Sequence, residues 1–173
     1  MHPKKIDKVK LFSGIMFSDE ERLERTISIL KRLFGDVDLV SEICPFDFTE
    51  YYEEEMGKNL KKIFISFKKL INREKLAEIK LKTIKVEDES AESKNRTVNI
   101  DPGYLTLHNV ILASAKEMPH RIYIGKGIFG DAVLEYKRDK GFADSCHTFP
   151  DFKSQNVKEI MKKIRTIYKK QIC

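Results

Sequence analysis

Residues 99–104 place an amide, a carboxylate and a phenol around an Asp-Pro-Gly sequence, and His108 follows shortly after. Asp-Pro-Gly predicts a tight turn. If a short helix began after that turn, its unpaired N–H groups would lie beside Asn99 and Asp101 and could bind an anion. Asp101 could then hold Mg²⁺ or act as a general base, with His108 as the second candidate base and Tyr104 as a ligand contact. The alternative is that Asp101 caps an ordinary turn and Tyr104 packs in the core.

Residues 125–130 match the G-x-G-x-x-G pattern of dinucleotide-binding proteins. That function requires a helix directly after the glycines, so that phosphate meets a helix N-terminus. Residues 131–136 instead have the composition of a strand, so the sequence predicts a β-hairpin with Lys126 at its tip. His120, Arg121 and Lys126 are candidate hydrogen-bond donors to a phosphate group. No G-x-x-x-x-G-K-[ST] segment occurs, which argues against a P-loop NTPase.

The aromatic and acidic residues between 45 and 57 follow neither a strand period nor a helix period. Tyr51 and Tyr52 offer flat surfaces on which a base could stack. Asp47 and Glu55 offer oxygen atoms to a metal ion or to ribose hydroxyls. The alternative is a loop that its aromatic side chains attach to the core while its acids stay exposed. The acidity of this segment argues against contact with an RNA backbone.

Metal-ligand spacing is absent from the sequence. His108 and His120 with Asp101 could supply a two-histidine, one-carboxylate site, but no i,i+4 or His-x-His spacing supports it, and structural histidines are the alternative. The three cysteines form no zinc motif and no paired framework, which is typical of a protein from the reducing cytoplasm. The metal is therefore unknown, and Mg²⁺ stays open as a cofactor.

The elements that must position these residues alternate between strands and helices without a regular βαβ rhythm. Ser18 and Glu21 form a capping box before a helical period that Gly35 ends, and Ser154 starts a last amphipathic helix. A short helix is expected after Thr106, with a strand as the alternative. Further strands are expected at 8–17, 37–44, 62–67, 97–100 and in the hairpin 120–136, and a further helix at 73–89.

These elements predict an α+β fold with a mixed, mainly antiparallel sheet and about four helices packed mostly on one face. A chain of 173 residues fits one domain over residues 1–173. Its core is expected at about residues 8–152, followed by a C-terminal amphipathic helix at 154–170.

Net charge is +6, but it is distributed unevenly. Residues 61–86 carry nine basic and two acidic side chains, and residues 136–173 carry ten and four. Such blocks could bind RNA through the Lys-rich faces at 61–85 and 153–170, or could be solvated helix faces. No run approaches the roughly 18 apolar residues of a membrane span, and no export signal is visible. We therefore expect a cytoplasmic protein without a membrane partner.

Four segments resemble the signature segments of an uncharacterised prokaryotic domain-of-unknown-function family: KLFSGIMFS, PFDFTEYYEEEMG, IDPGYLTLHNVILASAK and HRIYIGKGI. They extend over most of the chain, from about residue 8 to residue 152. Members of that family are sometimes labelled GTP-binding proteins. The resemblance implies that ten residues stand on the family's pattern, without saying which of them act: Asp47, Tyr51, Tyr52, Glu55, Asp101, Gly103, Tyr104, His120, Arg121 and Gly127.

The function that the sequence favours is binding of a nucleotide or phosphometabolite without a P-loop, with Mg²⁺-dependent catalysis left open. Alternatives are an RNA-associated basic module, a non-catalytic protein-interaction domain and a metal hydrolase. The sequence leaves the oligomeric state undefined. The candidate catalytic residues are Asp101 and His108, and the candidate ligand contacts are Asp47, Tyr51, Tyr52, Glu55, Asn99, Tyr104, His120, Arg121 and Lys126.

Overall fold

The computed structural model describes residue 2 and residues 6–173. The strands in this part are β1 (Val9–Phe17), β2 (Val37–Val40), β3 (Cys44–Pro45), β4 (Lys61–Ile71), β5 (Val98–Leu105), β6 (Asn109–Ser114), β7 (Ile122–Gly125), β8 (Ile128–Lys137) and β9 (Gly141–Ala143). The helices are α1 (Glu20–Phe34), α2 (Glu53–Met56), α3 (Leu76–Glu89), α4 (Pro150–Lys153) and α5 (Gln155–Ile172), with a 3₁₀ turn at Arg73–Lys75 before α3.

All the strands belong to one antiparallel sheet in the order β2-β4-β1-β5-β6-β8-β7, with β3 paired to β4 and β9 paired to β8. The predicted α+β class with a mainly antiparallel sheet is therefore confirmed. The predicted hairpin is also present, because β7 and β8 pair directly across the glycine-rich turn.

β1 lies at the centre and is buried along its whole length. Leu11, Ile15 and Phe17 pack on one face in a core that includes residues of α1 and α3. Phe12 packs on the opposite face in a core with residues of α5. A strand covered on both faces reads as a continuous apolar run, which explains the composition of this segment.

The caps of the long helices are local in origin. Asp19, not the predicted Ser18, caps α1, since its carboxylate accepts a hydrogen bond from the N–H of Arg22 at 2.9 Å. A carboxylate at this position also interacts favourably with the helix dipole. Ser154 caps α5, the helix that the sequence predicted to start near this residue, with its hydroxyl accepting from the N–H of Val157.

The predicted turn at Asp-Pro-Gly was wrong, because β5 runs straight through it. Like Ile100 two residues earlier, Pro102 directs its backbone groups away from β1. Pairing of β5 with β6 starts only at Gly103, so no neighbouring strand needs an N–H from Pro102. Gly103 is needed for packing, since a Cβ atom there would lie 2.5 Å from the carbonyl oxygen of Ile111. Pro102 and Gly103 thus serve strand packing here instead of forming a turn.

The predicted short helix after Thr106 was also wrong, and the alternative of a strand is correct, because β6 occupies this segment. Thr106 closes a tight β5–β6 turn, in which its hydroxyl accepts from the N–H groups of His108 and Asn109. As a result, no helix N-terminus follows Asp101.

The first half of β5 has α3, not a strand, along its free edge. The Glu87 carboxylate accepts from the N–H of Ile100 at 2.5 Å, and the Lys80 ammonium donates to the carbonyl oxygen of Ile100 at 2.9 Å. These two side chains are seven residues apart and so lie on the same face of α3. They satisfy backbone groups that a neighbouring strand would otherwise pair.

Candidate functional site

A cavity of about 390 Å³ lies over β1, β4, β5, β6 and β8, and we call it the central cavity. Residues of α3 form one wall, and the segments around α2 and α4 cover it. Its charged lining side chains are Lys62, Lys80, Glu87, Asp88, Arg96, Asp101, Lys116, Arg121, Asp131 and Asp151, and its aromatic ones are Phe46, Tyr51, Tyr52, Phe149 and Phe152. This volume lies within the roughly 300–1,000 Å³ range of small-molecule sites, at its lower end.

Lys62 lies at the centre of the floor. Its ammonium is 2.8 Å from the Asp151 carboxylate and 3.5 Å from that of Asp101, and its side chain is 5% exposed. The stem reaches from β4 over β1 because Gly14 leaves room for it, since a Cβ atom at Gly14 would lie 2.8 Å from Cε of Lys62. Burial alone would lower the pKa of Lys62, but the two carboxylates raise it above its usual value. Lys62 therefore stays charged.

Asp101 is held ionised by its neighbours. Burial alone would raise its pKa, but the charges of Lys62 and Lys80 and a hydrogen bond from the Asn99 amide at 3.0 Å lower it below its usual value. A carboxylate stabilised in this way is a weak base. It serves better as a fixed hydrogen-bond acceptor for a ligand than as the general base that the sequence suggested.

Arg96 extends this arrangement towards α2. Its guanidinium forms two hydrogen bonds with the Glu55 carboxylate, at 2.8 and 2.7 Å, and donates to the side-chain amide oxygen of Asn99 at 2.9 Å. The hydrogen bonds from Arg96 lower the pKa of Glu55, and the same interaction raises that of Arg96. Polar groups of largely alternating charge thus cross the floor in one series, which we call the floor row: Glu55, Arg96, Asn99, Asp101, Lys62 and Asp151.

Arg121 is oriented by three acceptors. Its Nε donates to the Asp131 carboxylate at 3.0 Å, and one Nη donates to the Ser114 hydroxyl at 2.7 Å and to the carbonyl oxygen of Lys116 at 2.9 Å. Its remaining Nη2 group makes no hydrogen bond within the described residues. The His120 ring lies beside Asp131, with its Nε2 atom 3.5 Å from the Asp131 carboxylate.

The cover of the central cavity is aromatic. The Lys116 ammonium lies 4.4 Å from the ring centre of Tyr51 and donates to its hydroxyl at 3.1 Å. Tyr52 contacts the Tyr51 ring edge-on and lies beside Arg96. Burial raises the pKa of Tyr52 to about 12, so its hydroxyl remains a hydrogen-bond donor.

Five of the predicted site residues come together in this cavity: Tyr51, Tyr52, Asn99, Asp101 and Arg121. Two others act from behind the lining, Glu55 through Arg96 and His120 through Asp131. The ring of His120 also stacks on that of His147, with 4.6 Å between ring centres.

Four predicted site residues lie elsewhere. Asp47 is exposed in the loop before α2, and His108 is exposed in the β5–β6 turn. Tyr104 packs beside a small core between α3 and β6. Lys126 is exposed in the β7–β8 turn. The structure therefore does not bring His108 or Asp47 together with Asp101.

Sequence reasoning missed eight charged residues of the central cavity: Lys62, Lys80, Glu87, Asp88, Arg96, Lys116, Asp131 and Asp151. Two signals were available. Lys62 is the charged residue of the predicted strand at 62–67, and Lys80 and Glu87 are separated by two helical turns. The other positions depend on pairing between distant segments, which no local pattern reports.

Within residue 2 and residues 6–173, no three His, Cys, Asp or Glu side chains converge as metal ligands do. Asp101, which the sequence offered as a Mg²⁺ ligand, faces Lys62 and Lys80 instead. Two lysines thus supply the positive charge beside this carboxylate.

The family profile described as a domain of unknown function, DUF4416, matches residues 7–168. The chain belongs to the DUF4416 family. The resemblance to an uncharacterised family is therefore confirmed. The match includes every residue that lines the central cavity, so the cavity lies within the DUF4416 domain. No curated protein and no solved structure matches this DUF4416 chain. Within its described part, no helix has the length and apolar character needed to cross a membrane.

Proposed function

We propose that this protein binds a mononucleotide or another small phosphorylated metabolite in the central cavity, without a P-loop. The supporting observation is that one cavity of about 390 Å³ combines oriented cations, aromatic rings and an ionised carboxylate. Phosphate, a flat ring and hydroxyl groups each require one of these three features.

The phosphate would bind at Arg121 and Lys116. Asp131 and Ser114 fix the guanidinium plane of Arg121, which leaves Nη2 available. The Lys116 ammonium donates only to the Tyr51 hydroxyl within the described residues. Two cations with unused donors are suited to an anion with several acceptor oxygens.

The remainder of the ligand would lie between the aromatic cover and the floor row. Tyr51 and Phe149 offer ring faces, and the Asp101 carboxylate offers acceptor oxygens for hydroxyl groups. Mg²⁺ that arrives with a phosphate needs only one or two protein carboxylates, so the role of Mg²⁺ is best examined together with the ligand.

A thermal-shift panel of purine nucleotides, pyrimidine nucleotides and phosphosugars, each with and without Mg²⁺, tests this function. A ligand at about 100 times its Kd should add roughly 2.7 kcal/mol of stability. For a chain of this size that raises Tm by about 5–10 °C. A flat panel would contradict the proposal.

Lys116→Ala and Lys126→Ala form a matched pair for the best probe. Lys116 lines the cavity, whereas Lys126 is exposed in the β7–β8 turn. Loss of a charged hydrogen bond should weaken binding of the probe by about tenfold or more in Lys116→Ala. Lys126→Ala should bind like the wild type, and equal effects of the two variants would place the phosphate elsewhere.

The second candidate function is association with RNA through α5. Lys163, Lys169 and Lys170 are exposed on this helix and form no ion pair within the described residues. The block at 61–85 supports it less, because Lys62 and Lys80 are buried at the cavity. Binding of an RNA oligonucleotide should weaken steeply as salt rises, with a slope set by the number of phosphates contacted.

A further inference from the structure

Glu87 presents its two carboxyl oxygens to different surroundings. Oε1 accepts the hydrogen bond from the N–H of Ile100 at 2.5 Å. Oε2 makes no hydrogen bond within the described residues. It lies 3.9 Å from Nη1 of Arg96, which is beyond hydrogen-bond distance. The side chain is 5% exposed and lines the central cavity. One oxygen is therefore fixed by the backbone, while the other can meet a ligand.

The cations near Glu87 are already engaged. Arg96 donates to Glu55 and Asn99, and Lys80 donates to the carbonyl oxygen of Ile100. A buried carboxylate without a counter-charge of its own is costly, whereas a neutral carboxylic acid is not. This arrangement favours a proton on Glu87.

The charged groups around Glu87 do not cancel the effect of its burial. They are Lys80 on its own helix, Asp101 on β5 and Arg96 before β5, with Asp88 lining the same cavity. Burial raises the pKa of Glu87 to about 7; Lys80, the Ile100 N–H and Arg96 oppose the increase, and Asp101 adds to it. Asp101 stays ionised, so one cavity holds an ionised carboxylate and, in Glu87, a carboxyl group that can keep its proton up to near-neutral pH. Carboxyl groups with such different environments divide acid and base roles in many sites.

Resting on the function proposed above, we propose that Glu87 carries a proton and donates it in a hydrogen bond to the ligand, and that the ligand is a nucleotide whose base presents an acceptor. A ring nitrogen or carbonyl oxygen of a base has no hydrogen of its own and needs a donor from the protein. Sugar hydroxyls can supply their own hydrogen and do not require a protonated acid. The Tyr52 ring lines the same cavity beside Arg96, and it would give a flat surface for the base.

The test measures Kd for nucleoside monophosphates between pH 5.5 and 8.5 in three proteins: wild type, Glu87→Gln and Glu89→Gln. Glutamine keeps an oxygen for the N–H of Ile100 and an N–H donor for the ligand at every pH. Affinity of the wild type should fall about tenfold per pH unit above pH 7, relative to Glu87→Gln. The ratio of the two affinities cancels the titration of the phosphate itself. Glu89→Gln, which makes the same substitution at an exposed position of α3 outside the central cavity, should keep the wild-type profile.

Three results would overturn the inference. If wild type and Glu87→Gln bind the nucleotide with parallel pH profiles, Glu87 gives no proton to the ligand, although the binding function stands. If no nucleotide binds at any pH, the nucleotide assignment fails; binding of phosphosugars alone would then preserve the broader function. In the ligand-free protein, the ¹³C signal of the Glu87 carboxyl, assigned by its loss in Glu87→Gln, should titrate near pH 7. Titration near 4.5, the ordinary value, would also overturn it.

Discussion

The side chain of Lys62 belongs both to the central cavity and to the stability of the fold. Its removal leaves the buried carboxylate of Asp151 without its cation. Breaking a buried pair in this way typically costs about 3–5 kcal/mol. We therefore expect Lys62→Met to lower the free energy of unfolding, measured in urea, by about that amount.

Lys61→Met is the control for this change. The neighbouring Lys61 forms an exposed pair with Glu20 at 3.1 Å, and exposed pairs contribute about 0–1 kcal/mol. Similar losses in the two variants would mean that the buried pair gives no special stability.

At this same scale, sequence reasoning found the residues whose chemistry is visible locally. Asp101 and Tyr51 could be found because each belongs to a short pattern in the sequence itself, Asp-Pro-Gly for Asp101 and two adjacent tyrosines in an acidic segment for Tyr51. Arg121 could be found because it follows a histidine at the start of the predicted hairpin. Asp151 and Lys62 did not, since a buried ion pair 89 residues apart in sequence has no local signature.

At the scale of elements, α3 replaces a strand along the first half of β5. Lys80→Met should leave the carbonyl oxygen of Ile100 without its donor, which costs about 1–3 kcal/mol for a buried group. Urea unfolding measures this loss, and faster amide exchange in β5 should accompany it.

Lys82→Met, on the exposed face of the same helix, is the matched control. Within the described residues Lys82 pairs only with Glu78, at 3.5 Å and i,i+4 spacing, which is worth about half a kcal/mol or less. A loss in Lys80→Met no larger than in Lys82→Met would show that α3 does not support the edge through this contact.

Elements with a clear period were predictable from sequence, and elements shaped by their neighbours were not. α1 and α5 follow a 3.6-residue apolar period and were found, as was the β7–β8 hairpin. Leu107, Val110 and Ile111 happen to fit a helical spacing, yet pairing of β6 with β5 and β8 makes this segment a strand. Pro102 and Gly103 indicated a turn because their true requirements, a free edge and a close crossing, come from tertiary structure.

At the scale of the whole molecule, the last turns of α5 form hydrogen bonds with β1 and with the residue just before it. Gln171 accepts from the buried Lys10 ammonium on β1 at 2.8 Å and donates to the carbonyl oxygen of Lys68 on β4 at 2.8 Å. The Tyr168 hydroxyl donates to the carbonyl oxygen of Lys8. Gln171→Ala should destabilise the protein by about 1–3 kcal/mol in urea unfolding, because it leaves buried Lys10 with one partner fewer.

Gln155→Ala, at the exposed start of the same helix, provides the comparison. Gln155 bonds only to Glu159 within the described residues, so its loss should change stability by about half a kcal/mol or less. If both variants behave alike, the last turn of α5 does not hold the sheet.

Liquid water solvates a charged molecule by turning its dipoles towards it. The floor row cannot turn in this way, because each of its members is held by a neighbour in the row, and its ends lie on α2 and α4. The floor of the central cavity therefore resembles a solvent whose dipoles are oriented before the solute arrives. A molecule that matches this fixed polarity enters without rearranging its surroundings, and a mismatched one meets surroundings that cannot relax around it. Selectivity of this kind is set when the chain folds.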